Sequence, residues 1–110
     1  MAEHRQLPTA LDSYELEDVE APLGEGRQIV KATKITIHGR NVFLRALEPT
    51  IRIGDVEVLY PSIELDERTI VGYLTAVPPE GAAIQLEYRG EQPIRLAEPF
   101  TMRKIKGRHA

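Results

Sequence analysis

Apolar and polar residues alternate along most of the chain from about residue 28 onward. Ile35 and Ile37 alternate with polar neighbours over residues 34–38, a pattern typical of a strand with one buried face. The same alternation returns around Ile51 and again around Ile84. Glycine and proline separate these short segments at intervals of about 8–12 residues, which predicts an all-β sandwich or a small barrel.

Three connections can be read from turn chemistry. Gly54-Asp55 separates two alternating segments and predicts a two-residue type II′ hairpin, because glycine takes a positive φ at little cost. Residues 78–81, with two prolines and a glycine, must lie outside a central strand. Residues 62–65 predict a short strand with Ile63 and Leu65 inward, followed by a polar turn.

Sheet-on-sheet packing assigns the inward positions of these strands to one core between two layers. The predicted core consists of Ile35, Ile37, Ile51, Ile53, Val58, Ile70, Leu74, Ile84, Leu86 and Leu96. A last strand is predicted from about Phe100 to Ile105.

Length and composition exclude several classes of protein. A chain of 110 residues forms one domain, and 42% hydrophobic with 28% charged residues fits a folded globular protein. The chain has no cysteine, so disulfides and thiolate chemistry are excluded. No apolar run is long enough to span a bilayer, and no apolar segment follows the first residues as in a signal peptide. The default prediction is therefore a cytoplasmic protein with no membrane insertion.

Charge is concentrated at the two ends. Residues 1–25 hold seven acids and one base, whereas residues 101–110 hold four bases and no acid. We predict a flexible acidic arm over 1–13, a folded domain over 14–105 and a basic tail over 106–110. Leu7, Leu11 and Tyr14 also fit a helical spacing, while Tyr14, Leu16 and the acids between them fit an edge strand.

Residues 34–43 resemble the V-T-I-x-G-x-N-F stretch of IPT/TIG domains. Further resemblances follow in the family's order: 51–58 to its V-x-x-G-x-x-x-V hairpin, 68–71 to the T-x-I-x that opens its next strand, 78–81 to its proline-then-glycine connection, and 84–88 with Phe100 to its closing strands. The family's Gly-Gly-Thr before the first inner strand is missing. The resemblance implies an immunoglobulin-like antiparallel β-sandwich of about seven strands that serves recognition, and it transfers no site residues.

The candidate chemical groups do not converge in the sequence. His38 lies at a strand end, and metal binding needs three or four converging ligands. Ser62 lacks a nucleophile-elbow motif and fits turn chemistry. The acids from Glu64 to Glu67 fit a solvated charged edge better than a Ca²⁺ site. We therefore predict no catalytic, cofactor-binding or metal-binding residue, and a protein that is not an enzyme.

The predicted function is a non-catalytic binding or structural module with a protein partner. Carbohydrate binding is the first alternative, although the chain has no tryptophan. A small enzyme is the second alternative. Nucleic-acid binding through the basic tail is disfavoured by a sequence pI of about 5.6 and by the few aromatic residues.

One segment is predicted to form an interaction edge. Residues 28–35 contain neither proline nor acid, so nothing in their sequence blocks pairing with another strand. We predict that Gln28, Val30, Lys31 and Lys34 form an edge for partner binding or for self-association into a homo-oligomer. The lysines favour an acidic partner, which includes the acidic arm of the same chain.

Overall fold

A computed structural model describes residues 9–40, 42, 50–66, 68–88 and 92–106. They fold into nine strands in two facing sheets, so the predicted all-β sandwich is confirmed. The strands are β1 Ala10–Ala21, β2 Val30–Arg40, β3 Thr50–Ile53, β4 Val56–Glu57, β5 Leu59–Ile63, β6 Thr69–Leu74, β7 Ile84–Glu87, β8 Ile94–Arg95 and β9 Ile105–Lys106.

The order of the strands is that of an immunoglobulin-like sandwich. One sheet has the order β5-β6-β2-β1-β9 and the other β4-β3-β7-β8. The first eight strands pair antiparallel throughout, while β9 pairs in parallel with β1. The described residues thus contain two strands more than the predicted seven, and three of the nine are only two residues long.

All ten residues predicted for the core are buried between the sheets. The core also takes in residues that the alternation did not assign, namely Leu11, Tyr14, Leu16, Val42, Tyr88, Phe100 and Ile105. The rings of Tyr14 and Phe100 stack with their centroids 6.1 Å apart. The first and last segments of the folded chain therefore contribute to the same core.

The acidic segment near the N-terminus forms a strand, not a helix. β1 begins at Ala10, inside the segment expected to be a loose arm, because Leu11 is buried and Ala10 pairs with Arg40 of β2. Residues 1–8 and 107–110, which include most of the predicted arm and tail, lie outside the described residues.

Two turns show where turn residues in the sequence predicted the structure correctly and where they did not. Ile53 pairs with Val56 across a two-residue loop whose Gly54 has φ 61°, as the predicted hairpin requires. The prediction that Leu65 points inward is wrong, because its side chain is fully exposed. β5 ends at Ile63, and the Asp66 carboxylate accepts hydrogen bonds from backbone N–H groups of the turn that follows.

The C-terminal segment is less regular than predicted. In place of a strand from Phe100 to Ile105, the chain forms a 3₁₀ helix over Met102–Lys104 and then the two-residue β9. Thr101 caps this helix by accepting a hydrogen bond from the Arg103 N–H. Among the described residues, no helix is long and apolar enough to cross a membrane.

Candidate binding groove at one end of the sandwich

The hairpin of β1 and β2 projects beyond its neighbours in the sheet. Its register runs without a break from Ser13 to Ala21, which pairs with Val30. Pairing with β6 stops at Thr33, and β9 pairs with Leu16 and Glu17 as far as Lys106, the last described residue. In the described part of the chain, the two strands of the hairpin beyond these points pair only with each other.

The inner face of this projection continues past the hydrophobic core. Leu16 and Ile35 are fully buried and face each other at the end of the core. Because side chains alternate along a strand, the next cross-strand pairs on this face are Asp18 with Thr33 and then Glu20 with Lys31. The face thus changes from aliphatic to polar where the hairpin leaves the sandwich.

A groove of 540 Å³ lies against this polar face. Its floor comes from the projecting hairpin, and its walls come from the end of β6 and from the 3₁₀ helix. The lining residues are Asp18, Val19, Glu20, Lys31, Ala32, Thr33, Leu74, Thr75, Ala76, Val77 and Met102. Its volume is within the range of ligand sites in proteins, and Val77 is largely exposed on its rim.

The groove floor carries charges of both signs. Glu20 and Lys31 are exposed and directly opposite each other in the ladder, an arrangement that favours the hairpin. Neither side chain forms an ion pair with another described residue at salt-bridge distance. Both charges are therefore available to a ligand that enters the groove.

The Tyr14 hydroxyl fixes the wall that contains Met102. It donates a hydrogen bond to the Pro99 carbonyl, at 3.0 Å, and accepts one from the Thr101 N–H, at 2.8 Å. Burial raises the pKa of Tyr14 above its usual value, so the hydroxyl stays protonated and able to donate. The Lys104 ammonium lies 4.1 Å from the centre of the Tyr14 ring, a cation–π distance.

Glu80 holds the start of the 3₁₀ helix from the opposite side. Its carboxylate accepts hydrogen bonds from the Met102 N–H and from the Thr101 hydroxyl, each at 2.8 Å. The bond from Met102, followed by that from Thr101, lowers the pKa of Glu80. The connection between β6 and β7 is thereby tied to the C-terminal segment beside the groove.

Low pH should weaken the hydrogen bonds between Glu80 and the start of the 3₁₀ helix. Because the pKa of Glu80 is lower in the folded protein, its contribution to the free energy of unfolding is present above its ordinary pKa of about 4.3 and is lost as the pH falls through the folded value. We expect Glu80→Gln to be less stable than the wild type at neutral pH, with the difference narrowing below about pH 4.3. Urea unfolding between pH 7 and pH 3 measures it, and a constant difference would contradict the assignment. Asp66, whose pKa is lowered mainly by the Arg68 N–H, adds a separate loss of stability in the same range.

The other sheet edges are short or interrupted. β5 is interrupted by a bulge between Leu59 and Ser62 that contains Tyr60, with φ 51°, and Pro61. β4 and β8 have two residues each, and such short strands give little backbone for pairing. Among the described strands, β1 is the longest one at an edge, since β9 pairs with it only at Leu16 and Glu17.

The residues of the predicted interaction edge divide between two environments. Gln28 precedes β2 and is exposed, while Val30 and Lys31 pair with β1 alone. Lys34 lies further along β2, between Glu17 of β1 and Tyr73 of β6. The acidic strand opposite the lysines is β1 of the same chain, and the chain's own acidic segment was among the acidic partners that the sequence analysis named.

Sequence reasoning missed the groove residues Asp18, Glu20, Val77 and Met102. The one signal was the acidic run near the N-terminus, in which Glu17 and Glu20 lie opposite Lys34 and Lys31 of β2. Val77 and Met102 reach the groove from distant parts of the chain, so no spacing in the sequence places them there.

The candidate chemical groups stay apart from the groove. His38 lies on the outer face, with Nε2 2.6 Å from Oε2 of Glu15. Ser62 is exposed on β5, and Asp66 closes the turn before β6. Within the described residues, no three histidine or acidic side chains are grouped as a metal site would require.

Three comparisons with known proteins gave no match: no family model matches the chain, and neither a curated protein nor a solved structure resembles it at a significant level.

Proposed function

We propose that this chain is a non-catalytic protein-binding module of IPT/TIG-like type, and that its site is the groove under the projecting hairpin together with the adjoining edge of β1. The partner is an extended polypeptide segment that pairs with this edge. The IPT/TIG relationship rests on the sequence motifs, whereas the site rests on the geometry.

The observation that carries the proposal is the groove beside the projecting hairpin, next to a length of β1 for which the described residues provide no neighbouring strand. The backbone N–H and C=O groups along the outer side of residues 18–21 have no neighbouring strand among the described residues. An added strand satisfies such groups, and pockets beside the edge then select its side chains. Four residues of β-strand span about 13 Å, enough for a short peptide.

The lining of the groove favours a polypeptide over a sugar. None of the described side chains that line it is aromatic, so it offers no ring on which a sugar could stack. Tyr60 is the one tyrosine that is mostly exposed in the described part of the chain, and it lies on β5 at the opposite edge of the sheet.

Peptide display and a glycan array, performed on the same folded protein, test this proposal. We expect selected peptides to shift the backbone NMR signals of residues 18–21, 30–33, 74–77 and Met102. We expect no glycan to compete with them. Peptides that shift only residues of the second sheet, or a glycan that binds in the groove, would overturn the proposal.

A further inference from the structure

We propose that residues 101–106 form a strap that closes against β1 and opens as one unit while both sheets stay folded, and that Glu80 controls its closure. The strap contains the 3₁₀ helix and β9. Met102, in the wall of the groove, belongs to the strap, so the strap decides whether this wall is in place. This holds for any ligand of the groove.

The strap has little apolar contact with the core. Phe100, just before it, is fully buried, and its backbone is hydrogen-bonded to the connection between β6 and β7. From residue 101 to residue 105, Ile105 alone is buried, and Met102 packs partly against the core. Lys104 pairs with Glu98 nearer the surface, at 3.0 Å. A segment with so few buried apolar contacts opens at a lower free-energy cost than the whole domain.

Hydrogen bonds at its start hold the strap closed. The Thr101 N–H donates to the Tyr14 hydroxyl, at 2.8 Å. The Thr101 hydroxyl and the Met102 N–H both donate to the Glu80 carboxylate, each at 2.8 Å. Among the described residues, β9 adds only the pairing of two residues with β1. Glu80 is thus the described acid that accepts two hydrogen bonds from the strap, one of them from its backbone.

The groups around Glu80 favour its ionised form. Its hydrogen bonds, led by that from the Met102 N–H, and to a lesser extent the positive charge of Arg103 lower the pKa of Glu80. The Tyr14 hydroxyl faces it from β1 and stays neutral, because burial raises the pKa of Tyr14. Protonation removes the charge that the strap binds, so the strap should open more often as the pH falls below about 4.3.

Single cysteines measure the opening, because the chain has no cysteine of its own. Ile105→Cys reports on the strap, and Ile84→Cys, at a fully buried position of β7, reports on global unfolding. We expect a thiol reagent to modify position 105 at least about tenfold faster than position 84, since local opening is more frequent than global unfolding. Equal rates would show that the strap opens only when the domain unfolds, and would overturn the proposal.

Gly72→Ala separates local opening from global unfolding. It strains the packing of β6 against Val58, which is present whether the strap is open or closed. It should therefore accelerate modification at position 84 and leave position 105 unchanged. Equal acceleration at both positions would overturn independent opening of the strap.

Matched glutamine variants test the role of Glu80. At pH 7, Glu80→Gln should accelerate modification at position 105 about threefold, the effect of losing one exposed charged contact. Glu57→Gln removes the same charge from an exposed residue on β4, in the other sheet, and should leave the rate unchanged. The same rate in both variants would overturn control of the strap by Glu80.

Hydrogen exchange repeats the measurement without a change in the core. The Ile105 N–H donates to the Met102 carbonyl, and we expect it to exchange faster than the amides of β7, at a rate that low urea does not alter. After correction for the intrinsic rate, its opening should rise as the pH falls from about 5.5 to about 3.5, and should rise less in Glu80→Gln. A response of equal size in the two proteins would overturn the assignment to Glu80.

Discussion

Replacing Gly72 with alanine is expected to lower the free energy of unfolding by about 1–3 kcal/mol, the range for overpacked cores. A Cβ at position 72 would clash with Cγ1 of Val58 and would lie 3.3 Å from the Leu59 carbonyl oxygen. Val58 is fully buried, and a β-branched side chain has few rotamers with which to move away. Gly72 therefore sets the distance between β6 and the chain that crosses from β4 to β5.

A double-mutant cycle distinguishes this clash from a general effect of alanine. Val58→Ala removes the methyl group that the new Cβ would meet, so Gly72→Ala should cost less in that background than in the wild type. Urea unfolding of the four proteins gives the coupling free energy. Additive costs would show that the close approach to Val58 does not determine the effect.

Replacing Tyr14 with phenylalanine is expected to cost about 2 kcal/mol of stability, since the hydroxyl makes two hydrogen bonds in a buried setting. Without it, the Pro99 carbonyl and the Thr101 N–H each lose their partner. The ring and its stacking on Phe100 are retained. The loss should therefore be confined to the segment that the hydroxyl holds.

Hydrogen exchange measures where the stability is lost. In Tyr14→Phe we expect faster exchange over residues 101–106, with the protection of β3 and β7 retained. Tyr73→Phe is the matched control, because Tyr73 is half-buried on β6 and its hydroxyl makes no hydrogen bond to another described residue. Equal losses in the two variants would contradict the role assigned to Tyr14.

Tyr14 also connects the core with the proposed site. The segment that it holds contains Met102, in the groove wall, and Ile105, which pairs with β1. If this segment loosens in Tyr14→Phe, binding of a peptide in the groove should weaken as well, without any change in the acids of β1.

The sheet core could be predicted because it depends on short-range alternation. Ile35, Ile37, Ile51 and Ile53 occupy every second position of their strands, and a period of two places such residues on one face wherever the strand pairs. Phe100 and Ile105 were harder to assign to the core, because the 3₁₀ helix between them interrupts the two-residue alternation. Leu65 fits the alternation and is nevertheless exposed, since Asp66 ends the strand by binding backbone N–H groups of the turn.

The groove could not be predicted in the same way. The charge pattern indicated that the lysines of residues 28–34 favour an acidic partner, and the acidic strand β1 lies opposite them. It could not indicate where β6 stops along the hairpin, and that end point leaves the space in which the groove lies.

By itself, then, the sequence determined the strand class and the faces of most strands, because each of these depends on residues a few positions apart. Only the tertiary structure decided that Val77, Met102 and Glu20 share one groove, and that Tyr14 holds the C-terminal segment against β1. The length over which a strand pairs with a neighbour depends on how the two sheets pack and on where the connections cross. Contacts such as the one between Tyr14 and Thr101, which are 87 positions apart, produce no periodic pattern in the sequence.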